Sequence, residues 1–118
     1  MIDIKNISKV HTKWTNPNFN SIYFVYKDIA ICRLSIYEGD AFAIISDLYV
    51  DESFRRKGIG SLLLKECEKE LKNWNVKYIK LYVNKDDNAS ILLEYYKKFD
   101  YDVFEGSMSD SYALLKRI

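Results

Sequence analysis

The chain has 118 residues, 48% of them hydrophobic, which supplies one buried core and leaves no room for a second domain, so residues 1–118 are expected to form a single unit. Its 18 basic and 17 acidic residues leave a formal charge of +1, so charge gives no reason to expect a nucleic-acid or membrane partner. A charged fraction of 30% beside that core argues against disorder.

The opening Met1-Ile2-Asp3-Ile4-Lys5 lacks the basic start and apolar block of a signal peptide, and no apolar run reaches the ~20 residues that span a bilayer. The expectation is a cytoplasmic protein, with Cys32 and Cys67 reduced and buried as small hydrophobes. His11 is the only histidine and the cysteines lack ligand spacing, so no metal is expected.

Residues 2–7 alternate weakly and predict a first strand. Residues 8–21, containing Trp14 and Pro17, have poor helical periodicity and predict a loop with at most one helical turn. Three strand-like runs follow at 21–26, 29–37 and 41–50, separated by turns at Lys27-Asp28 and Glu38-Gly39-Asp40. Apolar residues at 59, 62, 63, 67, 71 and 74 predict a helix from about Gly58 to Asn73. A strand is expected over 77–83. After the cap-rich Asp86–Ser90, a helix is expected over 91–99 with Leu92, Tyr96 and Phe99 on one stripe. Residues 101–104, a turn at Glu105-Gly106-Ser107 and residues 111–118 predict a closing hairpin. The order βββ-β-α-β-α-ββ is a mixed α/β (α+β) fold: helices on a largely antiparallel sheet, with one right-handed strand–loop–helix–strand unit whose strands are parallel.

The centre of that unit is Ser46-Asp47-Leu48-Tyr49-Val50-Asp51-Glu52-Ser53-Phe54-Arg55-Arg56-Lys57-Gly58-Ile59-Gly60-Ser61. A strand runs through a basic glycine loop into a helix N-terminus, whose free N–H groups and positive dipole end attract phosphate. Two glycines let backbone approach the anion closely. The P-loop pattern GxxxxGK[ST] is absent, and the dinucleotide pattern GxGxxG fails at Leu63. What remains is [QR]-x-x-G-x-[GA], present as Arg55-Arg56-Lys57-Gly58-Ile59-Gly60 and preceded by Leu48-Tyr49-Val50. This resembles motif A of the GNAT superfamily of acyl-CoA-dependent N-acyltransferases.

That resemblance implies a GNAT-like fold and acetyl-CoA as acyl donor, bound without metal. The backbone of residues 56–61 would face the pyrophosphate, with Arg55, Arg56, Lys57, Gly58, Ile59, Gly60 and Ser61 forming the cradle. The pantetheine arm would lie along Leu48, Tyr49 and Val50 as an added strand, which requires that strand to part from the one at 77–83. The N–H near Leu48 would polarise the thioester carbonyl. Asn88…Tyr96-Lys97-Lys98-Phe99-Asp100-Tyr101 resembles the family's N…Y-x-x-x-G-F, with Asp100 in the glycine position, and implies Tyr96 as the acid that protonates the thiolate. Tyr95 points about 100° away around the helix. The competing reading of Tyr96 is a core aromatic. Asp47, opening an Asp-Leu-Tyr-Val run like one in small-amine acetyltransferases, is the candidate base, with a structural role equally open; Ser46 occupies a neighbouring candidate position, Glu38 is remoter, and water alone is a further option.

The family usually places two helices between its first two strands, and this chain is too short there for both, which implies a reduced N-terminal region and an open acceptor cleft. The implied reaction is direct attack of a primary amine, carried by a small molecule or a protein, in a ternary complex. Self-association as a homodimer stays open. The alternative is a non-catalytic acyl-CoA-binding or sensing module that keeps the loop without the acid and base.

Overall fold

In the computed structural model, residues 3–13, 18–104 and 109–118 are described. They form strands β1 (Ile7–Lys13), β2 (Phe19–Tyr26), β3 (Ala30–Tyr37) and β4 (Phe42–Val50), helix α1 (Ile59–Glu70), β5 (Tyr78–Asn84), helix α2 (Ala89–Lys97), β6 (Asp102–Val103) and β7 (Ser111–Arg117). The strands make one sheet in the order β1-β2-β3-β4-β5-β7-β6, antiparallel except for the β4–β5 pair. The expected mixed α+β architecture is therefore present.

Strand alternation places the core. Along β3, Ala30, Cys32, Leu34 and Ile36 are buried while their neighbours are at least partly exposed; in β5, Ile79, Leu81 and Val83 do the same. Helix α1 lays Ile59, Leu63, Leu64 and Cys67 onto that face, followed by Leu71 in a short 3-10 turn, so the predicted helix is closed by a tighter turn at Leu71–Asn73. Cys32 and Cys67 are free and fully buried, with sulfurs 3.6 Å apart; their mutual contact and burial push the Cys67 thiol well up. Neither helix is long and apolar enough to cross a membrane.

Three expectations change. The first strand is not at 2–7: Ile4–Asn6 is a 3-10 turn held by the Asp3 carboxylate accepting from Lys5 N–H, and the strand begins at Ile7. Residues 8–13, expected as loop, are the rest of β1, paired residue for residue with β2 from Ile7↔Tyr26 to Lys13↔Asn20. Ser8, Lys9, Val10, His11 and Thr12 are all exposed, so this edge strand is held by backbone pairing and carries no apolar alternation to read. In α2 the helix starts two residues early, and Leu93 packs on the core with Tyr96 and Phe99, whereas Leu92 is exposed. The spacing Ala89–Leu93–Tyr96 is the buried stripe. The expectations for Trp14, Pro17 and the Glu105-Gly106-Ser107 turn lie outside the described residues.

Only five residues separate β1 from β2, and both described helices share the core on one face of the sheet. Aromatic and aliphatic side chains on the opposite face, among them Tyr37, Phe42, Ile44 and Tyr82, are exposed. This is the reduced N-terminal region in structural form.

Candidate active site

The site begins with one extra residue in β4. Arg33 pairs with Ser46 and Ile31 with Tyr49, so Cys32 alone faces both Asp47 and Leu48. This is a β-bulge, with Asp47 in the left-handed conformation at φ 57°. Asp is among the few non-glycine residues that tolerate it. The insertion keeps Ala43 and Ile45 inward before the bulge, and Leu48 and Val50 packed on the core after it, while Asp47 stays outside.

Bulges bend and twist their strand, and this one lies on the arm of a fork. β4 and β5 pair only through Phe42↔Tyr78, Ala43↔Ile79 and Ile44↔Lys80. From Ile45 onward, β4 runs beside β3 with its other edge unpaired by β5. The separation that an added pantetheine strand requires is thus built into the sheet, and Leu48, Tyr49 and Val50 lie on the freed segment.

Beyond the fork, Asp51 N–H bonds the Ile29 carbonyl at 2.6 Å, and the Asp51 carboxylate accepts from Ser53 N–H, shaping a short turn over Glu52–Phe54. Arg56 (φ 64°) and Gly58 (φ 85°) are both left-handed, and Arg55 through Gly58 are exposed. Gly58 caps α1 without a side-chain bond, and the first in-helix bond runs from Leu62 N–H to the Gly58 carbonyl at 3.0 Å. The N–H groups of Ile59, Gly60 and Ser61 precede it and face the loop end of the helix. Two of the three cations lie over aromatic rings. Arg55 donates Nε–H to the Val50 carbonyl at 2.8 Å and lies over the Tyr49 ring, which uses one of its five donors. Lys57 lies over the Phe54 ring.

Asp47 is 61% exposed at its side chain and ion-pairs with Arg33 Nε at 3.3 Å; the same Nε–H donates to Ser46 Oγ at 3.1 Å. Asp47 therefore braces the bulge as well as standing beside Leu48. Glu38 does not join the site. It sits in the turn before β4, its N–H bonded to the Asn18 carbonyl, at the end of the sheet opposite the bulge.

Tyr96 is packed against the core, its ring edge-on to Tyr95 and Tyr101. Burial, then the neighbouring Tyr95 and Cys32, push its phenol well above the ordinary range, so it stays protonated at neutral pH. Its spacing from Tyr101 also has a packing cause. Tyr101 N–H bonds the Tyr96 carbonyl and Asp100 N–H the Lys97 carbonyl, with Asp100 left-handed at φ 70°. That is a Schellman terminus, and its hydrophobic contact is the Tyr96–Tyr101 ring pair at 5.9 Å. Tyr95, unassigned in the sequence reading, sends its hydroxyl to Ser61 Oγ at 3.0 Å. Only the three-dimensional packing of α2 against the loop reveals that contact.

A forked sheet, a bulge at the fork and a glycine loop feeding a helix define the acyl-CoA acyltransferase class of site. The chain belongs to the GNAT acetyltransferase family, whose model matches residues 5–101. No curated protein sequence matches it. Among solved structures it is similar to the PaiA N-acetyltransferase of Thermoplasma acidophilum in complex with coenzyme A, at 25% identity and TM-score 0.68. That match covers 85% of this chain and 60% of the Thermoplasma protein, so the chain spans well under two thirds of its length. A GNAT acetyltransferase of Elizabethkingia anophelis with acetyl-CoA bound gives 17% identity and TM-score 0.72, covering 96% of this chain and 99% of that one, a likeness of fold. Arabidopsis thaliana Naa50, in complex with the bisubstrate analogue CoA-Ac-MVNAL, gives 26% identity and TM-score 0.63, over 83% of this chain and 72% of that one.

Proposed function

We propose that this protein transfers the acetyl group of acetyl-CoA to a primary amine by direct attack in a ternary complex. The observation that carries the reading is the fork: β4 offers an unpaired edge at Leu48–Val50 that leads straight to the left-handed Gly58 and the open N-terminus of α1. CoA or acetyl-CoA in the similar structures and a peptide-linked analogue in Naa50 support donor and acceptor class respectively.

Each chain residue then has a task. Backbone along Leu48, Tyr49 and Val50 pairs with the pantetheine amides, and the N–H at Leu48 stabilises charge developing on the thioester oxygen. Residues 56–61 hold the pyrophosphate. Asp47, beside Leu48 on the exposed side of the strand, accepts the proton of the attacking amine. Tyr96, protonated at neutral pH, returns a proton to sulfur as the carbon–sulfur bond breaks. One observation favours the second reading, a binding or sensing module: the Asp47 carboxylate is already engaged by Arg33.

Thiol release measured with acetyl-CoA and a panel of small amines and N-terminal peptides separates the two. Transfer to at least one amine is expected. Tyr96→Phe should lower turnover about 10²- to 10⁴-fold while leaving acetyl-CoA affinity intact. CoA binding without transfer to any amine would establish the module instead.

A further inference from the structure

Tyr95 belongs to the loop, not to the acid. Its ring is fixed on α2, edge-on to Tyr96 at 5.2 Å and to Phe99 at 5.3 Å. From there the hydroxyl reaches Ser61 Oγ, 34 residues away in sequence, at 3.0 Å. It also stands 3.3 Å from the point a Cβ on Gly60 would occupy, with a Val50 methyl 3.6 Å from the same point. Gly60 has no left-handed φ to explain it. A side chain at position 60 would meet the Tyr95 oxygen at tight contact.

Two hydroxyl groups carry two hydrogens. One is used in the bond between Tyr95 and Ser61. Whichever way that bond runs, the second hydrogen is left to donate. A phosphate oxygen accepts and cannot donate, so it matches the pair. The pair adjoins the backbone N–H groups of Gly60 and Ser61, which precede the first in-helix bond of α1. We propose that Tyr95 is a cofactor-binding residue: with Ser61 it presents one O–H to the pyrophosphate of CoA where the glycine loop meets α2. The proposal rests on the acyl-CoA reading above. It divides the adjacent tyrosines by task, one grasping phosphate and the other returning a proton to sulfur.

Calorimetry tests it with CoA, dephospho-CoA (which keeps the pyrophosphate) and pantetheine (which lacks it). Tyr95→Phe removes one oxygen and keeps the ring, so the variant is expected to fold with a melting temperature lowered by no more than about 5 °C. Affinity for CoA and dephospho-CoA should fall about 10-fold, the size of one hydrogen bond to a charged group, with pantetheine unaffected. Ser61→Ala removes the partner without touching α2 and should give the same pattern. Wild-type CoA affinity in Tyr95→Phe overturns the assignment, and so does an equal loss for CoA and pantetheine, which would make the phenol a brace between helices. Failure of the unmodified protein to bind CoA overturns both this proposal and the acyl-CoA reading; CoA binding that survives Tyr95→Phe overturns this proposal alone.

Discussion

Asp47 carries a backbone role and, under the proposed mechanism, a chemical one. Its left-handed φ of 57° makes the bulge, its carboxylate meets Arg33, and its neighbour Leu48 opens the freed edge. Asp47→Asn separates these functions, because Asn tolerates the same backbone while losing the charge. The surface ion pair with Arg33 contributes at most about 1 kcal/mol, so stability should change little. Turnover should drop about 10²- to 10⁴-fold, with acetyl-CoA affinity retained. Wild-type turnover in this variant would leave proton removal to water. The sequence exposed Asp47 as a polar interruption in an apolar run. It did not expose the bulge, because a left-handed aspartate and an extended one look identical in one-letter code. Tyr96 taught the opposite lesson: the 96–101 spacing was visible, but a helix terminus alone produces it.

At the scale of elements, legibility followed burial. β3, β4 and β5 each bury alternate residues and were readable to within one or two positions, as was the face of α1. β1 is illegible in the sequence because Ser8, Lys9, Val10, His11 and Thr12 are all exposed. The pairing limit between β4 and β5 is required by the family resemblance but is invisible in composition. The glycine loop was the most legible part of the site, since positive φ and close approach both select glycine. Gly58 tests it. Asp and Asn both accept its φ of 85° better than other side chains, so Gly58→Asp and Gly58→Asn should fold comparably. The carboxylate repels phosphate and the amide does not. Calorimetry with CoA should show at least a 10-fold greater loss for Asp than for Asn. Equal losses would place the pyrophosphate away from this loop.

For the whole molecule, the core holds the buried phenol of Tyr101, with the partly buried Tyr96 packed against it, and both keep their protons tightly. Tyr101 is 1% exposed and donates to Glu68 Oε2 at 3.0 Å, while Lys116 bonds the other carboxylate oxygen. Burial and then the Glu68 charge push the Tyr101 phenol far up, and burial does the same for Tyr96. The folded pKa is thus raised above the unfolded value of about 10. Below pH 10 both states keep these protons and the phenols add no pH dependence. Above it the unfolded chain ionises first, and stability falls by roughly 1.4 kcal/mol per pH unit for each phenol. Tyr101→Phe loses the bond to Glu68, about 1 kcal/mol at pH 8. Urea titrations at pH 8 and pH 11 should show that deficit narrowing or reversing. A deficit that stays constant would mean Tyr101 ionises alike in both states.

The fork between β4 and β5 bears on kinetics as well as affinity. Only three residue pairs join these strands, and the edge that follows is open before any ligand arrives. A strand-like ligand entering here has no native backbone pair to displace. Its arrival therefore needs no local unfolding step, and encounter rates can reach those of a preformed cleft, about 10⁵–10⁷ M⁻¹s⁻¹. A sheet that had to open to admit a new strand would impose a delay that this edge does not.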